Sequence, residues 1–176
     1  MAAVLLTCAV WQATGFAVDT VVVEAGVANE GDLVRAGAQW ELLDRPSWTG
    51  GWGLGIVLEA VAGSWQPEVG DSGLFEVGVT PVFRFAPARL SSDRAALFLE
   101  AGVGVHFLSD VRFNDLNMST SLQFGSHIGV GVHLGSGGRW TLVYRFQHLS
   151  NASIRQPNPG IEYQLLQIGV RLSRSR

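Results

Sequence analysis

The sequence predicts an all-β fold, an eight-stranded antiparallel transmembrane β-barrel, on three observations. Eight segments alternate apolar with small or polar residues, the two-residue period of strands whose faces meet different surroundings. The polar face is rich in glycine and carries isolated charges of mixed sign, and the chain has no lysine. That composition suits a cramped interior better than a solvated surface. Finally, charged residues make up only 15% of the chain and hydrophobic ones 47%, with mean hydropathy +0.24. Yet past the N-terminus no apolar run reaches the ~18 residues a spanning helix needs, so a crossing must be made with strands.

Residues 1–17 form an apolar stretch followed by small residues ending at Ala17, which reads as a secretory signal cleaved after Ala17. It lacks a basic leading region, which implies either a start further upstream or retention in the fold. Cys8, the only cysteine, lies inside this stretch and reads as one of its small apolar residues, so no disulfide framework or thiolate metal site is expected. Residues 18–176 are assigned to the barrel.

The first segment puts Val21, Val23, Ala25 and Val27 on one face and Glu24 and Gly26 on the other, before a turn at 29–32. The second sets Val34, Ala36, Ala38, Trp40 and Leu42 against Arg35, Gly37, Gln39 and Glu41. Trp52, Leu54, Ile56, Leu58 and Ala60 face away from Gly53, Gly55 and Glu59 in the third. The fourth opposes Phe75, Val77, Val79 and Phe83 to Glu76, Gly78, Thr80 and Arg84, and the fifth opposes Leu97, Leu99, Val103 and Phe107 to Glu100, Gly102, Gly104 and His106. In the sixth, Leu122, Phe124, Ile128, Val130 and Val132 alternate with Gln123, Gly125, His127, Gly129 and His133. The turn at 135–138 leads to the seventh, where Trp140, Leu142, Tyr144 and Phe146 oppose Thr141, Val143, Arg145 and Gln147. The eighth sets Leu166, Ile168, Val170 and Leu172 against Tyr163, Leu165, Gln167 and Arg171.

The apolar faces are assigned to lipid and the polar faces to the lumen. Trp40, Trp52, Trp65, Trp140 and Tyr144, at or near strand ends, are read as interfacial girdles. With both termini periplasmic, the turn at 135–138 faces the periplasm and the loop at 150–160 faces outside. The C-terminal residues 172–176 lack the terminal aromatic common in such barrels.

A net charge of −3, with no basic cluster or aromatic-basic interleave, argues against nucleic-acid binding. Glu24, Glu59, Glu76, Glu100 and His127 are read as a structural plug of paired charges rather than a catalytic lumen, and His106 and His133 likewise. No His, Asp or Glu cluster has metal-ligand spacing.

The stretch 145–163 departs from the pattern. His148 continues the outward series of Trp140 to Phe146, and Glu162 shares parity with Leu166 to Leu172, so two ionisable side chains fall on the lipid face at the outer end of adjacent strands. Ser150, two residues on, shares the face of His148. Glu162 can hold the imidazole, His148 can take the proton of Ser150, and Asn151 can donate to the resulting oxyanion. The alternative is an interfacial hydrogen-bonded pair beside a turn that 157–160 completes.

The string H-L-S-N-A, followed by P-N-P-G-I-E with fourteen positions from His148 to Glu162, resembles the signature of the PagL-type lipid A 3-O-deacylases, eight-stranded outer-membrane barrels of Gram-negative bacteria. The resemblance implies Ser150 as nucleophile, His148 as general base, Glu162 as the group orienting His148 and Asn151 in the oxyanion hole, with no metal or organic cofactor. It implies a serine esterase that removes the 3-hydroxyacyl chain from position 3 of lipid A in lipopolysaccharide. Two other readings remain at this point, an outer-membrane phospholipase and a non-enzymatic structural or adhesive barrel. The sequence also leaves open whether the barrel works alone or as a homodimer.

Overall fold

A computed structural model describes residues 17–67, 73–92 and 94–172. The signal-like segment up to residue 16, with Cys8, and the C-terminal residues 173–176 lie outside the described residues.

Alternation becomes strand in each predicted segment: β1 (Thr20–Ala28), β2 (Gly31–Thr49), β3 (Trp52–Pro67), β4 (Leu74–Pro87), β5 (Ala95–Leu108), β8 (Leu122–Leu134), β9 (Trp140–Ser150) and β10 (Ile161–Arg171). Between β5 and β8 lies a feature the periodicity does not announce, a short hairpin of β6 (Arg112–Phe113) and β7 (Leu116–Asn117). Two residues per strand are too few for a period to show. The eight long strands close into an antiparallel barrel in the order β1-β10-β9-β8-β5-β4-β3-β2. The β1–β10 pairing closes the ring, so this sheet leaves no open edge. Within β2 the register slips after Glu41 and again after Arg45, where the strand overruns the regular pairing.

The two faces divide as the alternation predicts. Outward residues such as Val23, Val103 and Ile128 are exposed, while Glu24, Glu76, Gln123 and Gln167 are fully buried inside. An apolar outer wall around a polar lumen is the inverse of a soluble barrel and fits a hydrocarbon surround. No helix among the described residues is long and apolar enough to cross a membrane.

Three arginines and four glutamates fill the middle of the lumen. Arg145 donates to Glu24 and Glu59, each at 2.7 Å, and to Glu100. Arg35 donates to Glu24 at 2.8 Å, Glu76 at 3.1 Å and Gln147 at 3.0 Å, and Arg84 to Glu100 at 3.0 Å. Each buried charge thus meets an opposite one and further hydrogen bonds, the condition under which burial is tolerated. Glycine provides the room: a methyl at Gly78 or Gly125 would overlap the ring of His106, which is wedged between them and hydrogen-bonded to Glu76.

At the mouth opposite the termini the filling turns apolar, with Phe113, Met118, Leu149, Ile161 and Tyr163 packed around Trp65. Trp65 therefore corrects the girdle assignment. It is 1% exposed, stands edge-on to Phe113 and Tyr163 at 5.3 and 4.8 Å, and donates its indole N–H to Glu76 at 2.6 Å. The reason is parity: Trp65 falls on the inward series of Val57, Glu59 and Val61, and the pleat decides the face whatever the position along the strand. Trp52 and Trp140, at the termini end of β3 and β9, are exposed on the outer wall as expected.

Candidate active site

β9 and β10 meet antiparallel with Glu162 directly across from His148, and β8 sets Ser126 across from His148 on the other side. Directly opposed residues bring their side chains within reach. Nδ1 of His148 lies 3.8 Å from Oε1 of Glu162, beyond hydrogen-bond length, and the two side chains are 42% and 66% exposed. The two side chains are juxtaposed without a hydrogen bond between them.

With Nδ1 turned to Glu162, the other edge of the imidazole must point elsewhere, and Gly160 shows where. A Cβ there would stand 2.7 Å from Cε1 and 3.3 Å from Nε2 of His148, so that edge leans toward the loop end of the strands. Ser150, one strand repeat beyond His148 toward that loop and half-buried, lies on this side. Gly160 also has φ +70°, a backbone that side chains disfavour, so both conformation and space call for glycine.

The loop 151–160 is held from beneath. Asn151 is fully buried, and its Nδ2 donates to the carbonyls of Met118 and Arg155, both at 2.9 Å. Its backbone N–H donates to Oδ1 of Asn158 at 2.9 Å, and Ser119 Oγ donates to the Pro157 carbonyl at 2.8 Å. These contacts clasp the loop to the segment after β7 and hold Ala152 and Ser153 at φ 52° and 62°, which costs roughly 1 kcal/mol or more each for residues with a Cβ.

Both side-chain amide hydrogens of Asn151 are committed to loop carbonyls, so its side chain anchors the loop. Asn158, half-buried in the same loop, accepts at Oδ1 from the Asn151 N–H at 2.9 Å and donates from Nδ2 to Ser153 Oγ at 3.5 Å. Sequence reasoning also passes over Ser126 and Gly160. A polar residue at an apolar-parity position marks Ser126, the signal that singles out His148 and Glu162.

From His148 and Ser126 a groove of about 480 Å³ runs along the outer wall past Ile128 and Phe146 to Ala101 and Phe83. Elsewhere the histidines are structural. His133 donates or accepts at Thr141 Oγ1, 2.9 Å away, and stacks on Phe98. Among the described residues no three His, Cys, Asp or Glu side chains gather as a metal site would require.

The profile of the family described as "Lipid A 3-O-deacylase (PagL)" matches residues 32–171, most of the barrel and all of the loop just described. The chain belongs to the lipid A 3-O-deacylase (PagL) family. It is 30% identical over 157 residues to lipid A deacylase PagL of Pseudomonas aeruginosa, covering 85% of this chain and 84% of that relative. Against lipid A deacylase PagL of Bordetella bronchiseptica it is 34% identical over 116 residues, covering 64% and 61%. The crystal structure of the outer membrane enzyme PagL superposes with a TM-score of 0.76 at 28% identity, covering 87% of this chain and 99% of that one. The barrel is thus an outer-membrane barrel of the PagL kind.

Proposed function

We propose that the protein is a serine esterase that removes the ester-linked 3-hydroxyacyl chain at position 3 of lipid A in lipopolysaccharide. Ser150 Oγ attacks the ester carbonyl while His148 Nε2 takes its proton, and Glu162 steadies the imidazolium from Nδ1. The negative charge on the carbonyl oxygen meets amide donors at the start of the loop, with Asn151 as the oxyanion residue and Asn158, hydrogen-bonded to it, beside it. Collapse of the tetrahedral intermediate breaks the bond to the sugar oxygen, which receives the proton from His148. Water, deprotonated by the same histidine, then attacks the acyl-serine and frees the 3-hydroxy fatty acid. No metal or organic cofactor enters this scheme.

The observation that carries the reading is the pairing of His148 with Glu162 across β9 and β10 on the outer wall. Ionisable groups on a lipid-facing surface are costly unless they serve a function or sit level with headgroups, and a site there is reached by a membrane-embedded substrate from the side. The test is the mass spectrum of lipid A from Gram-negative cells with and without the expressed protein. A loss equal to one 3-hydroxy fatty acid, with phospholipids intact, is expected. Unchanged lipid A with hydrolysed phospholipids would assign the site to a phospholipase, and no change in either would leave a structural barrel.

A further inference from the structure

The exposed cations are not spread evenly over the barrel. Arg45, Arg89, Arg94, Arg139 and Arg171 lie on the turns and strand ends at the termini end, all five exposed. At the loop end stand Arg112 and Arg155, outnumbered by Glu30, Asp32, Asp110, Asp115 and Glu162. Among the described residues Arg171 meets Glu41 at 3.1 Å, whereas the guanidinium groups of Arg45, Arg89, Arg94 and Arg139 have no hydrogen-bond or ion-pair partner. Four guanidinium groups on one rim are therefore available to anions from outside the chain.

The backbone fixes most of them in one arc. Ala88 N–H donates to the Gly51 carbonyl at 2.8 Å, Gly135 N–H to that of Arg94 at 2.9 Å and Arg171 N–H to that of Arg139 at 2.9 Å, which ties each turn to its neighbour. Arg89, Arg94, Arg139 and Arg171 thus follow one another along five consecutive strands of the ring, β4, β5, β8, β9 and β10, with ~4.8 Å from strand to strand. Within the arc a recess of about 460 Å³ opens between the turns at 91–95 and 135–138, lined by Ser92, Ser136 and the backbone of Gly135, Gly137 and Gly138. Arg94 adjoins it through Ala95, and Arg139 through Gly138. On the wall beside it Leu90, Leu97, Leu134 and Trp140 are exposed, so an apolar and aromatic band borders a basic rim. That combination fits a membrane interface whose headgroups carry negative charge.

We propose that this arc binds the phosphodiester headgroups of anionic phospholipids, with the recess between the two turns seating one phosphate. The deacylase reading, on which the choice of leaflet rests, puts the loop end among lipopolysaccharide and so turns the arc toward the opposite, phospholipid leaflet. Charge decides the headgroup. A zwitterionic headgroup brings its own ammonium to its phosphate, whereas an anionic one leaves net charge for the guanidinium fork. The apolar band beside the recess takes the acyl chains of the same lipid, which free phosphate lacks.

The full chain, refolded in detergent micelles, is mixed with dioleoyl phosphatidylglycerol or dioleoyl phosphatidylcholine, and the retained lipid is counted by native mass spectrometry. The wild type is expected to hold phosphatidylglycerol roughly tenfold more tightly, and the double variant Arg94→Gln, Arg139→Gln to lose that preference. Arg94→Lys with Arg139→Lys, which keeps both charges, should retain most of it. Inorganic phosphate at the lipid's concentration should not displace the lipid. Deacylation of lipid A should be unchanged in both double variants, whose substitutions lie at the far end from His148, and both should show the heat-modifiable mobility of a folded barrel. Equal retention of the two lipids by the wild type, an unchanged preference in the glutamine variant, or displacement by phosphate overturns the proposal and leaves the deacylase standing. A wild type that prefers phosphatidylglycerol but leaves lipid A intact supports the arc and overturns the deacylase reading alone.

Discussion

Arg145 and His148 are three residues apart on β9 and live under opposite conditions. Arg145 points inward, is 1% exposed, and is shared among Glu24, Glu59 and Glu100. His148 points outward, and its one acidic neighbour stands 3.8 Å away. Inside, every charge is compensated, and little is left over to act on a substrate. On the wall, a base, a carboxylate and two hydroxyls stand together with their hydrogen-bonding capacity largely unspent. Residues of the same chemical types therefore pair with one another on one face of a strand and are left largely unpartnered on the other, and the alternation of the pleat alone separates the two.

The contrast breaks if substitutions on the two faces have the same consequence. The largest expected effect is on the wall: Ser150→Ala or His148→Ala should lower turnover at least ~10³-fold while the protein still runs as a folded, heat-modifiable barrel on gels. Loss of folding in these variants would mean that the wall also carries the structure. Next, Arg145→Met leaves three buried carboxylates without their shared cation, and should cost about 3–5 kcal/mol, read as a lower urea midpoint for unfolding in micelles. A variant as stable as the parent would show that the lumen tolerates uncompensated charge. The smallest effect sharpens the comparison at the site itself. Gly160→Ala puts a methyl against the imidazole edge, and should reduce kcat/KM roughly tenfold by misplacing the base, with the unfolding midpoint lowered only by the ~1 kcal/mol of left-handed backbone strain.

Much of this division is legible in the sequence because a strand's period is short and strict. Strand count, the lipid-facing series and the outward parity of His148, Ser150 and Glu162 all follow from it. What escapes are properties of pairing and of loops. That Ser126 meets His148 depends on the β8–β9 register, set by the turn at 135–138 and by ring closure. That the Asn151 side chain reaches the carbonyl of Met118 depends on the segment just after a hairpin too short to carry a period. Trp65 is a case of two signals in conflict, aromatic placement near a strand end against parity, in which parity governs.

The central claim, that the chemistry resides in Ser150 on the outer wall, is met most directly by trapping the nucleophile. An alkyl fluorophosphonate, which esterifies activated serines, is added to the active barrel in micelles, and the tryptic peptides spanning 113–139 and 146–155 are sequenced by mass spectrometry. The account predicts loss of esterase activity in step with an adduct on Ser150, and no adduct in the His148→Ala variant. An adduct on Ser126 in its place, or inactivation with Ser150 unmodified, would contradict it.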